Sequence, residues 1–173
     1  MARRVGDRAH ELAALTGSLT PLVTLGRWED SLARAREAIA AEELASLHTW
    51  APQLLGMTSL HVRRGDLGEA RLLLEPMQWA EESEDWQGRA AYAEAKAEVL
   101  RAEDRPAEAL AAAAEVLATR TELELGLTNG FAKRGLVNSV EAVLDLGDSA
   151  KADELLGMVR AAQPGQVTPW LRA

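Results

Sequence analysis

Gly26-Arg27-Trp28 opens a signature that returns as Gly65-Asp66-Leu67, Asp104-Arg105-Pro106 and Gly147-Asp148-Ser149. Five residues after each opening position stands a small residue, in turn Ser31, Ala70, Ala109 and Ala152. The openings lie 39, 39 and 43 residues apart. Self-similarity at such a period marks a stacked array, because a single short unit cannot bury its own apolar face and leans on its neighbour.

The stretches on either side of each signature carry a helical period. Leu12, Leu15, Leu19, Leu22 and Leu25 precede Gly26 at steps of three and four, and Trp28, Leu32, Ala35, Ala38 and Ile39 follow it. Pro21 should kink or split the first of these helices. In the second unit Thr49 reads as an N-cap, with Pro52 in the first turn and Leu54, Leu55, Met57, Leu60 and Val62 behind it. Its partner runs from about Leu67 to Glu82, and Pro76 should bend or end it. In the third unit Asp85 caps a helix from Trp86 to Ala102, and Asp104 caps the next, with Pro106 near its start. The fourth follows the loop-like Gly126-Leu127-Thr128-Asn129-Gly130, with helices from about Phe131 to Leu146 and from Asp148 to Ala162. The expected fold is all-α: a right-handed α-solenoid of about four antiparallel helix pairs, forming one domain over 1–173. Its units cover about 7–45, 49–82, 85–121 and 129–162, with 163–173 the start of a further helix or a tail. Thr168-Pro169-Trp170-Leu171 reads as such a start, so the chain is expected to be a fragment of a longer array, or to pack its end on another molecule or fold its tail back.

Composition agrees with helices and narrows function. Of 173 residues, 47% are hydrophobic but only 4% aromatic, so Ala and Leu carry the apolar content and lose little on entering a helix. Net charge is −8, from 27 acidic and 19 basic residues, which argues against a nucleic-acid surface. Arg3, Arg4 and Arg8 form a small basic cluster that reads as a solvated terminus. There are no cysteines, so disulfides and thiolate metal sites are excluded. No apolar run reaches the roughly 18 residues of a membrane span, and Asp7 and Glu11 interrupt any signal-like segment. The expected location is the cytoplasm, with no membrane contact.

The pattern resembles tetratricopeptide repeats, in which a Gly-Asp-aromatic turn separates two antiparallel helices. Anchored on the four turns, the family's small residue of the second helix falls on Ser31, Ala70, Ala109 and Ala152, its large residue on Ala35, Leu74, Ala113 and Leu156, and its next small residue on Ala38, Met77, Val116 and Val159. The closing proline matches only Pro164, and the large aromatics are mostly replaced by Ala and Leu. The spacing exceeds the family's roughly 34 residues and also suits HEAT-like repeats; the Gly-Asp turn favours the tetratricopeptide reading. Leu25-Gly26-Arg27-Trp28, Lys133-Arg134-Gly135-Leu136 and Pro164-Gly165-Gln166-Val167 are similar to the repeat tails of large bacterial signalling ATPases, nucleotide cyclases and transcription regulators. That resemblance implies a regulatory scaffold.

Reactive chemistry is thin. His10, His48 and His61 make no HExxH pair, none of the serines lies in a GxSxG elbow, and no GxxxxGK[ST] loop occurs. His61 reads as a satisfied interface histidine and His48 as a loop residue. The acidic run Glu81, Glu82, Glu84 and Asp85 lacks EF-hand spacing and reads as a solvated linker. Trp28, Trp50, Trp79, Trp86 and Trp170 all lie near helix ends, where such side chains usually plug gaps. No enzymatic activity, catalytic residue, cofactor or metal is expected.

In stacked helix pairs the first helices line the concave face. The candidate partner-binding groove is therefore Leu55, Ser59, Val62 and Arg63 in the second unit, Glu94, Glu98 and Arg101 in the third, and Arg134, Val137, Glu141 and Leu144 in the fourth. Its mixture of charge and small apolar surface suits a peptide or helix. The expected partners are a protein or peptide, and a second copy of the chain through an exposed end of the array. A ligand-sensing domain is the alternative, for which a buried cluster of Trp86, Tyr92, Glu94 and Arg101 would speak.

Overall fold

The computed structural model describes residues 8–40, 47–122, 126–163 and 165–172. Arg3, Arg4, Asp7 and Pro164 lie outside the described residues, as do the side chains of Arg8, His48, Trp50 and Trp170. All elements among the described residues are helical apart from a single bridge between Leu127 and Val167. The chain divides into two compact units, Met1–Ala80 and Glu81–Ala173, where the repeat alone predicts one domain.

Unit 1 begins with α1 (Arg8–Gly17) and α2 (Leu19–Thr24). The break falls at Ser18, whose hydroxyl donates to the Leu15 carbonyl at 2.6 Å, so Pro21 sits in the first turn of α2 where its missing N–H is harmless. α3 (Trp28–Ala40) starts with Glu29 and Asp30 in its first turn, where acids suit the helix dipole. α4 spans Leu47–Arg64, so Thr49 is inside the helix rather than its cap, and Pro52 lies inside too. α5 stops at Leu74, having begun at Leu67, and a 3-10 segment, Glu75–Glu82, carries Pro76 onward; the single helix expected over 67–82 is thus split where proline cannot donate. Leu19, Leu22, Leu32, Leu54, Leu55, Met57, Leu60, Leu74 and Met77 fill the interior.

Unit 2 is built of longer, unbroken helices: α6 (Trp86–Ala102), α7 (Pro106–Glu122), α8 (Gly130–Asp145), α9 (Ser149–Arg160) and a short α10 (Pro169–Arg172). The Asp85 side chain accepts from the Gln87 and Gly88 amides, and Asn129 accepts from Phe131 and Ala132, so both starts are capped. α7 packs along both α6 and α8, and α8 along α9. Alanines dominate the contact: Ala97, Ala109, Ala112, Ala113 and Ala142 cluster with Leu100. Close approach has a measure at Gly135, where a Cβ would stand 2.8 Å from Val116 Cγ1 and 2.9 Å from its Cβ. A second cluster joins Leu127, Leu136, Val143 and Leu155, and Val167 and Leu171 of the C-terminal segment pack back onto it. The tail therefore covers apolar surface of the last hairpin.

The four signatures share one geometry. Gly26, Gly65, Asp104 and Gly147 have φ of +72°, +79°, +61° and +76°. In each turn the following amide reaches back five positions: Arg27 to the Leu22 carbonyl at 2.9 Å, Asp66 to His61 at 2.9 Å, Arg105 to Leu100 at 3.0 Å and Asp148 to Val143 at 2.9 Å. This is the Schellman closure, in which a left-handed residue satisfies orphan carbonyls at a helix end. Asp104 is accordingly the left-handed closing residue of α6, and α7 starts at Pro106 without it as a cap. Ser31, Ala70, Ala109 and Ala152 are all buried, because the reversed chain brings each against the preceding helix.

Candidate functional site

The candidate residues fall on α4 in unit 1 and on α6 and α8 in unit 2. On α4, Leu55 is 1% exposed and belongs to the core, so it offers no groove surface. Ser59 and Val62 are half-buried and Arg63 is exposed. No described contact draws these three into a site.

On α6 and α8 the candidates do converge. Arg134 Nε lies 3.0 Å from Glu94 Oε1. Arg101 Nε lies 2.6 Å from Asp145 Oδ2, and its Nη1 pairs with Glu141. Glu94 to Arg134 and Arg101 to Glu141 each span 40 residues, so the two helices run parallel in constant register. Charge alternates along this row: an acid on α6 meets a base on α8, then a base meets two acids. Val137 is half-buried and Leu144 is 54% exposed beside it.

Glu94 sits in the least watery part of the row. It is 4% exposed, and its Oε2 has no hydrogen-bond partner among the described residues. Burial pushes its carboxyl up to about 8, and the neighbouring Glu98 charge adds to the rise. Arg134 opposes it, but that guanidinium is about half exposed and offsets only part of the cost. Asn138, absent from the sequence-derived set, is 7% exposed between Arg134 and Glu141, and its Nδ2 likewise lacks a partner among the described residues. Asp145 is the other member that sequence reading missed. Counting 40 residues on from Glu98 finds Asn138; counting by the turns, 43 apart here, does not.

The remaining polar residues are used locally. Lys96 Nζ donates to Glu81 Oε1 at 2.5 Å and lies 5.9 Å over the Tyr92 ring; Asp85 caps α6, and Arg89 donates to the Ser83 carbonyl. Of the acidic run, Glu81 and Asp85 are thus used structurally, while Glu82 and Glu84 are exposed as a solvated linker would leave them. Trp86 meets Phe131 edge-on at 5.8 Å, so Trp86, Tyr92, Glu94 and Arg101 engage different partners and form no common cluster. Trp28, expected to plug a gap, is exposed. His61 is 5% exposed and, contrary to expectation, its Nδ1 has no hydrogen bond among the described residues; Asp66 Oδ2 is 3.9 Å away. Desolvation lowers its pKa against the pull of Glu69 and Asp66. Among the described residues no group of three or more His, Asp or Glu could hold a metal ion. No described helix is long and apolar enough to cross a membrane.

The class that the fold defines is an all-α protein of helical hairpins closed by a common turn. No protein-family model matches the chain, and neither does any curated protein or solved structure.

Proposed function

We propose that this chain is a tetratricopeptide-like repeat scaffold, a right-handed α-solenoid by the reading of its repeats, that holds a protein or peptide against its first helices. The observation that supports this best is the fourfold recurrence of one closing turn, with left-handed φ at Gly26, Gly65, Asp104 and Gly147. A chain that repeats one hairpin lays its first helices side by side, and such surfaces serve as extended binding faces. The converging row on α6 and α8 supplies charge and the exposed Leu144. On this reading the module works without catalysis, in the cytoplasm of a bacterium, as part of a signalling or transcription regulator. The ligand-sensing alternative loses its main support, because Trp86, Tyr92, Glu94 and Arg101 do not cluster.

The test is capture from bacterial lysate with the chain and with Leu144→Asp, followed by crosslinking to map contacts. Leu144 is already solvent-facing, so the substitution should leave the circular dichroism spectrum unchanged. Crosslinks concentrated on α6 and α8 that vanish with Leu144→Asp are expected. Crosslinks scattered over the surface and indifferent to the substitution would count against a binding face.

A further inference from the structure

Resting on the scaffold reading, we infer that the α6–α8 row of unit 2 receives a basic, amphipathic segment of a partner protein. Two carboxylates of this row, Glu141 and Asp145, share a single guanidinium, Arg101, while Arg134 serves Glu94. Arg101 is divided between Glu141 and Asp145, so one cation serves two acids whose side chains remain about 43% and 44% exposed. The row is therefore short of positive charge on its open side.

A second observation is independent of the acids. Asn138 lies four residues beyond Arg134 and three before Glu141, both of which reach α6, so it occupies the same face of α8. At 7% exposure its Nδ2 has lost water without gaining a partner among the described residues. Buried polar atoms in that state are uncommon and call for an unseen partner, which for the donor Nδ2 is an acceptor such as a backbone carbonyl of a docked segment and for an acceptor oxygen is a donor such as Lys or Arg. Glu94 Oε2 is in the same condition.

The wider charge distribution fixes the sign of that partner. Unit 2 carries 17 acidic and 10 basic residues, against 10 and 9 in unit 1. A positive segment is steered toward unit 2, whereas nucleic acid or an acidic peptide is repelled. Leu144 and Val137 give an apolar strip beside the acids, which a segment with one basic and one apolar face covers and a simple polycation does not.

The experiment uses the full chain and a fluorescent amphipathic peptide with a Leu face and a Lys/Arg face, beside its counterpart with Glu in place of Lys/Arg. Fluorescence anisotropy is followed at about 50 and about 500 mM salt, where screening differs strongly. The basic peptide should bind, weaken about tenfold or more in high salt, and weaken about tenfold with Glu141→Lys/Asp145→Lys. The milder Glu141→Gln/Asp145→Asn should act in the same direction while keeping the fold. Asp153→Lys/Glu154→Lys on α9 makes the same net charge change away from the row and should shift affinity about twofold or less. Equal weakening by the α9 pair means bulk charge alone and overturns the inference. Equal binding of the acidic peptide, lost with Leu144→Asp, overturns it too but leaves the scaffold reading standing. Failure of both peptides to bind overturns the inference, while crosslinks to a lysate protein on α6 and α8 still report on the scaffold separately.

Discussion

Unit 1 and unit 2 use the same turn to join their helices but fill their interiors differently. Unit 1 packs large side chains, Leu19, Leu32, Leu54, Leu55, Met57 and Leu60, between helices interrupted at Ser18 and again after Leu74. Unit 2 packs Ala97, Ala109, Ala112, Ala113 and Ala142 between helices of 16 and 17 residues without a break. Long flexible side chains fill the irregular space that a broken helix leaves. Alanine contacts need backbones that stay close over many residues, which only regular helices provide. Both units nonetheless keep a titratable group out of reach of water, His61 in unit 1 and Glu94 in unit 2.

The contrast can be broken by exchanging the filling. Leu54→Ala should cost unit 1 about 2–5 kcal/mol, since it opens a cavity at a fully buried site. In unit 2 the damaging change runs the other way: Ala113→Leu inserts bulk between α7 and α8 and should cost about 1–3 kcal/mol or more. Urea unfolding followed by amide exchange, residue by residue, assigns each loss to its unit. A mild Ala113→Leu would mean that the two packing styles are not distinct.

Gly135→Ala sharpens the same point. Alanine raises helix propensity, yet its Cβ would meet the β-branched Val116 at 2.8 Å, so a net loss of about 1–3 kcal/mol is expected. Val116→Ala in the same chain should recover part of it, a coupling that a double-mutant cycle reads directly. Additive losses would show that Val116 is not the obstacle.

The units should also answer pH with opposite signs. Glu94 is raised from its ordinary 4.5 to about 8, so the folded state holds a proton that the unfolded chain releases. Its contribution is full below about pH 4.5 and is lost progressively as pH climbs through 8, and Glu94→Gln should flatten the profile. His61 is lowered from 6.5, so unit 1 should be firm above that value and weaken as pH falls below it. Besides Asp66 in the turn, the charges acting on His61 are Glu69 of α5, Arg36 of α3 and Arg64 of α4. Amide exchange at pH 5.5 and 8.5 separates the two slopes; parallel slopes in both units would contradict the assignment.

The smallest expected change lies at a turn. Asp104 is the one non-glycine residue of the four left-handed positions. Asp104→Gly should add about 0.5–1 kcal/mol to unit 2, because glycine takes this conformation without Cβ strain. Gly65→Ala should subtract a similar amount from unit 1. A thermal shift of the wrong sign in either variant would undo the equivalence of the turns.

How much was legible follows the range of each interaction. The four closing turns, their buried small residues and the bounds of α6 could be read directly, since a left-handed residue, an acid cap and a proline act within a few positions of themselves. The breaks at Ser18 and after Leu74 were announced by Pro21 and Pro76. Asp104 reads as a cap in the sequence because Asp serves both roles, and only backbone geometry separates them. Leu55 reads as part of an open face because helical periodicity ranks positions without saying which neighbour covers them.

The sequence by itself thus determined helices, turns and the repeat, all local consequences of side chain and backbone. Tertiary structure alone decided that α8 meets α6 at an offset of 40 residues although their turns lie 43 apart, nearly one helical turn of slip. That slip sets Glu94 against Arg134 and hides Asn138. It depends on how closely alanines, Gly135 and Val116 let the backbones approach, a distance that no single stretch of chain encodes.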